Sequence, residues 1–139
     1  MIGKTLGKYK IVDLLGQGGM AEVYKAYQAN LDRHVAVKFI KTAIAESPDS
    51  LARFEREAKI IATLDHPNIV QVYDYEEALG TYFIIMEFIE GKMLSEMSEK
   101  NKPMPHVQVA AIFTQLASAL SFAHNKGIVH RDIKPGNAM

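Results

Sequence analysis

A chain of 139 residues with 48% hydrophobic side chains is long enough to bury one modest core, which excludes a disordered tail. Sixteen basic residues balance sixteen acidic ones, so no overall field favours nucleic acid or an anionic membrane, and neither partner is expected. Cysteine is absent, which removes disulfides, thiol nucleophiles and zinc-thiolate centres and fits a reducing compartment. The N-terminal MIGKTLGKYKIV has no continuous apolar stretch and no small-residue cleavage site, so no secretory leader is expected and the chain reads as cytoplasmic.

In chain order, YKIVDLL (9–15) and EVYKAYQ (22–28) are rich in β-branched and aromatic residues and enclose GQGGMA, which predicts a hairpin. HVAVKFI (34–40) is a third strand. Its period of two places Val35, Val37 and Phe39 on one face and Ala36, Lys38 and Ile40 on the other. SPDS (47–50) supplies helix-start signals, and Leu51, Phe54, Ala58, Ile61 and Leu64 recur at helical spacing up to HPN. IVQVYDYEEA and TYFIIMEFI, joined by a turn around Gly80, complete five strands and one helix by about residue 89.

Beyond GKMLSEMSEK the strand signals stop. A short helix is followed by a long one ending near Asn125, with Val109, Ile112, Phe113, Leu116, Leu120 and Ala123 spaced by threes and fours. Residues 107–124 carry no charge at neutral pH and mimic a membrane span. Gln108, Thr114, Gln115, Ser118 and Ser121 within them argue for a buried helix, so no membrane segment is expected.

Three stretches carry chemistry. In GQGGMAEV, glycines at a turn expose backbone N–H groups that a phosphate can approach, although a plain hairpin turn explains the same residues. A dinucleotide-binding loop would open a helix, and EVYKAYQ reads as a strand. Lys38 lies between apolar neighbours, where an ammonium calls for a carboxylate. Glu57 on the following helix is the candidate, with Glu55 an alternative that faces another way, and a lysine reaching out to water is the bland reading. HRDIKPGN (130–137) holds a candidate base, Asp132, a cation two residues on, Lys134, and an amide oxygen suited to a hard metal, Asn137. Such a loop can also be merely solvated, but the three stretches in this order supply the parts of phosphoryl transfer from a nucleotide.

LGQGGMAEVYKA, HVAVK, RFEREAKIIATLDHPNIV and IVHRDIKPGN together resemble the protein kinases, and among them the bacterial, eukaryotic-like Ser/Thr kinases, over the whole chain. The resemblance implies an α+β kinase fold: an N-lobe over residues 1–89 and the start of a C-lobe over 90–139. It implies ATP and Mg2+ as cofactors and protein Ser/Thr hydroxyls as substrate. Gly16, Gln17, Gly18, Gly19, Met20, Ala21 and Val23 would form the phosphate-covering loop, Lys38 would contact the α and β phosphates, and Glu57 would pair with it. Met86 falls at the gatekeeper and Glu87 to Ile89 at the hinge, with Val23 and Ala36 above the base and Met139 beneath it.

By the same resemblance, Asp132 orients the attacking hydroxyl, Lys134 stabilises the transferred group, Asn137 holds magnesium and His130 is structural. Arg131 would pair with an activation-loop phosphate, and Lys134 points to serine and threonine rather than tyrosine. Two departures stand out. Ala21 replaces the third glycine of G-x-G-x-x-G, and no DFG follows Asn137. The resemblance therefore implies a kinase fragment with little or no activity alone and an apolar patch on residues 107–123 open to self-association. The alternative is a nucleotide-binding module that acts by association with another protein.

Overall fold

The computed structural model describes residues 1–18, 21–40, 48–78, 80–97 and 103–139, without the side chains of Pro48, Ser50 and Glu57. It divides into two compact units. One comprises Met1–Leu64 and Val70–Phe88, the other Asp65–Ile69 and Ile89–Met139.

The first unit is built on one antiparallel sheet. Its strands are β1 (Thr5–Leu6), β2 (Tyr9–Gln17), β3 (Ala21–Gln28), β4 (Arg33–Ile40), β5 (Val72–Ala78) and β6 (Thr81–Glu87), in the order β1-β2-β3-β4-β6-β5. The alternation in β4 decides which face is core: Val35 and Val37 are fully buried and Phe39 nearly so. They pack with Tyr9, Ile11, Tyr24, Ala26, Phe83 and Ile85. The rings of Tyr24 and Phe39 meet edge to face at 5.6 Å, and Phe83 lies 5.4 Å from Phe39. The sheet curls far enough that Lys8, in the turn before β2, reaches the far edge strand, with its Nζ 3.3 Å from Glu76 and 3.8 Å from Asp74. These partners are solvated, so each pair is worth at most about 1 kcal/mol.

The sixth strand, β1, was not expected from the sequence, because two residues are too short to show a period. β5 also begins at Val72 rather than Ile69, since Ile69 donates its N–H to the His66 carbonyl at 3.0 Å and closes a turn instead.

Helix α1 (Pro48–Ile61) lays Ala58 into the interior and Phe54 against Tyr75 of β5, ring to ring at 6.2 Å. On its outer side Glu55 and Lys59 pair at 2.7 Å, an i,i+4 contact that commits the Glu55 carboxylate.

The second unit contains α2 (Leu94–Met97), α3 (His106–Asn125) and a 3-10 turn at Pro135–Asn137. The end of α3 is set by Gly127 at φ +75°. Its N–H donates to the His124 carbonyl at 2.8 Å and the next N–H, of Ile128, to that of Ala123 at 3.0 Å, a left-handed stop that glycine adopts without a Cβ penalty. Only Ala119 and Ala123 are buried on α3.

Val109, Ile112, Leu116 and Leu120 are half-buried. Phe113, expected in the same stripe, stands about 100° away from Ile112 and is 66% exposed. α3 is not a buried helix within these 139 residues: Val107 too is 83% exposed, which gives the apolar patch expected on residues 107–123, and by length and composition α3 is apolar enough to cross a membrane.

Candidate active site

The sheet unit carries the residues expected to meet a nucleotide. Gly16 pairs with Val23 and Gln17 with Glu22 at the end of the β2–β3 hairpin, where two register shifts lie between Ile11 and Gly16. The Gly18 N–H donates to the Ala21 carbonyl at 2.9 Å and closes the turn. Gly19 and Met20 lie outside the described residues. A Cβ built at Gly16 meets nothing within 4 Å, so packing inside the chain does not require glycine there.

Gln17 is engaged: its amide donates to Glu22 at 2.8 Å, and the Tyr24 hydroxyl donates to the other Glu22 oxygen at 2.8 Å. Glu22 escaped the sequence reading, since a carboxylate beside a glycine turn has no pattern of its own.

Lys38 occupies the middle of β4, opposite Val23 on β3 and Ile84 on β6, and is half-buried. Ala36, buried, faces Met86 in register. Both follow from the alternation that sends Val35, Val37 and Phe39 into the core. The Lys38–Glu57 pair lies outside the described residues, because the Glu57 side chain is not described. At the end of β6 the Glu87 N–H donates to the Gln71 carbonyl at 2.8 Å, so this donor is committed within the unit.

The helical unit carries Ile89, Met139 and the 130–137 loop. Lys134 Nζ lies 2.8 Å from Asp132 Oδ2. The Asn137 amide donates to the same oxygen at 3.0 Å and to the Asp132 carbonyl at 2.8 Å. The Asp132 N–H donates to His130 Nδ1 at 3.2 Å, so His130 orders the loop backbone. Arg131 takes φ +64°, a left-handed conformation that costs about 1 kcal/mol or more in a non-glycine residue and turns the chain sharply before Asp132. The Leu94 N–H donates to the Ala138 carbonyl at 2.7 Å and ties the loop's end to α2.

The contacts set the loop's electrostatics. The Lys134 ammonium, followed by the Asn137 amide, holds the Asp132 carboxyl below its ordinary range. The carboxylate is therefore charged at neutral pH, and with Oδ2 bound twice, Oδ1 is the atom left to face a hydroxyl. Asn137 spends its NH2 group on Asp132, which leaves its amide oxygen as a hard acceptor. Among the described residues no cluster of three or more His, Asp or Glu side chains could hold a metal ion.

A curled antiparallel sheet with a central-strand lysine, followed by a helical unit bearing an Asp-x-Lys-x-x-Asn loop, defines a protein-kinase fold. The family model for the protein kinase domain matches residues 9–139, and the chain belongs to that family. Its relatives are bacterial Ser/Thr kinases. It is 44% identical over its whole length to serine/threonine-protein kinase PrkC of Bacillus subtilis and 42% identical over 95% of its length to PknB of Mycobacterium leprae. In each case it spans 22% of the relative's own length. Among solved structures, the PknI kinase domain of Mycobacterium tuberculosis superposes over 99% of this chain and 56% of its own, at 33% identity and a TM-score of 0.81.

Proposed function

We propose that this chain carries the nucleotide-binding sheet and catalytic loop of a kinase that transfers the γ-phosphoryl group of ATP to serine or threonine hydroxyls of proteins. The observation that carries the reading is the Asp132–Lys134–Asn137 constellation, held within 3.0 Å on one loop. Asp132 Oδ1 accepts the hydrogen bond of the attacking hydroxyl and orients its lone pair. Lys134 neutralises charge on the oxygens in transit from the same side. Asn137 offers an amide oxygen to magnesium, which when bound screens the phosphate oxygens. On the sheet, Lys38 supplies the cation for the non-transferred phosphates, the Gly16–Ala21 turn admits them, and Val23, Ala36 and Met86 offer apolar surface to a base.

Glu57 is the carboxylate assigned to Lys38, which the commitment of Glu55 to Lys59 supports. The Glu87 carbonyl and the Ile89 N–H are the hinge groups assigned to adenine. Because no DFG aspartate lies within its 139 residues, the chain alone is assigned little or no transfer activity. The direct test is a thermal melt of the chain with ATP, with and without magnesium. Stabilisation by ATP that magnesium increases supports the reading, and no response to either overturns it for this chain.

A second reading, association with a second copy of the chain through α3, is favoured by the exposure of Val107 and Phe113. Light scattering over a dilution series tests it, and a monomer at every concentration sinks it.

A further inference from the structure

Residues 65–69 take no part in the chemistry above, yet they are anchored more heavily than a connection needs. In sequence they join α1 to β5, while in space they belong to the helical unit. The Asn68 N–H donates to His66 Nδ1 at 3.0 Å, so that nitrogen carries no proton. A neutral imidazole then holds its proton on Nε2, which lies 3.1 Å from Ser118 Oγ on α3 and donates to it. The Asn68 side-chain amide donates to Gln115 Oε1 at 3.0 Å, and the His66 ring rests 5.2 Å from that of Phe122.

We infer that His66 is a proton-operated latch: residues 65–69 dock on α3 while the ring is neutral and let go when Nδ1 takes up a proton. The reason is the direction of the bond inside the segment. A proton on Nδ1 would point at the Asn68 N–H, donor against donor, and the turn that presents Asn68 to Gln115 would lose its closing contact. The α3 side chains touching the segment, Gln115, Ser118 and Phe122, do not titrate, so none of them offers the imidazolium a countercharge.

Among the described residues, charged groups nearby include Asp65, beside His66 in the chain and exposed, and Lys126, whose Nζ lies 5.3 Å from the Phe122 ring. Neither hydrogen-bonds to the ring. Docking and proton uptake therefore compete: acid releases the segment and its withdrawal restores it. Release frees the chain between α1 and β5 from α3, which makes the device a regulator of how tightly that connection is held.

The test uses the whole 139-residue chain, labelled with 15N, between about pH 7.5 and 5.5. Ring spectra report the His66 tautomer and its protonation, and hydrogen exchange reports protection of the Asn68 amide relative to its intrinsic rate. The expected result is an Nε2–H ring at neutral pH, and protection that falls about tenfold as the ring protonates. His66→Gln removes the pH step. Asn68→Ala keeps it, because the sensing bond uses a backbone N–H. Should His66→Gln fail to dock at all, the wild type and Asn68→Ala still decide the matter. An Nδ1–H tautomer at neutral pH, unchanged protection through ring protonation, or a step retained in His66→Gln would overturn the latch.

Discussion

Replacing Lys38 by Met tests the nucleotide reading with the least disturbance of the fold. The stem of Lys38 sits between Val23 and Ile84 on neighbouring strands, and Met fills that space while removing only the charge. A charge-assisted hydrogen bond of the kind a lysine makes to phosphate contributes about 1.5–3 kcal/mol, so ATP should bind roughly ten- to a hundredfold more weakly. At ATP a hundredfold above the wild-type Kd, binding stabilises the wild type by about 2.7 kcal/mol and the variant by about 0.4–1.4. For a sheet unit of about 80 residues, 1 kcal/mol moves Tm by about 4–8 °C. The wild type should therefore gain about 11–22 °C and Lys38→Met about 2–11 °C, at most about half the wild-type shift, with apo melts within a few degrees of each other. Equal ATP shifts in the two proteins would refute the assignment of Lys38 to phosphate.

Other outcomes follow from the same structure. Lys134→Met removes the first cause of the lowered Asp132 pKa, so the carboxyl should titrate at higher pH by carbon-detected NMR. The sign is fixed: with Lys134 present Asp132 stays ionised further into acid and loses its charge only as pH falls through the lowered value, whereas in the variant that loss begins earlier. An unmoved titration would contradict the 2.8 Å contact. Phe83→Ala, at a site 1% exposed, should cost about 3–5 kcal/mol in urea unfolding, while Phe83→Leu should cost much less. Gly127→Ala, which forces a Cβ into φ +75°, should destabilise the helical unit by about 1 kcal/mol, against a negligible change for Gly136→Ala. Val107→Glu with Phe113→Glu should abolish any self-association seen by light scattering, and a dimer that survives both would place the contact elsewhere.

How much was legible in the sequence depended on whether a residue's neighbours lie along the chain. β4 could be read because a period of two is local: Val35, Val37 and Phe39 alternate with Ala36 and Lys38 whatever the rest of the chain does. The 130–137 loop could be read for the same reason, since Asp132, Lys134 and Asn137 meet within six residues. The separation of exposed Phe113 from half-buried Ile112 and Leu116 was not legible, because α3 is apolar on several sides and spacing alone does not choose the stripe that packs. The anchoring of His66 and Asn68 on Ser118 and Gln115 was invisible, because some fifty residues separate the partners and neither pair has a compositional signature. β1 and the closure of Lys8 on Glu76 likewise depend on a curl that no single strand encodes.

The alternation in β4 also makes the fold proofread itself. Slide β4 by one residue against β3 and β6, and Val35, Val37 and Phe39 turn outward while Ala36, Lys38 and Ile40 turn in. That mispairing would thrust a bare ammonium among Phe83, Ile85 and Tyr24, a burial costly enough to veto it during assembly. The residue assigned to phosphate thus also guards against misthreading, and a Lys38 variant that loses its charge should be expected to lose some of this fidelity along with it.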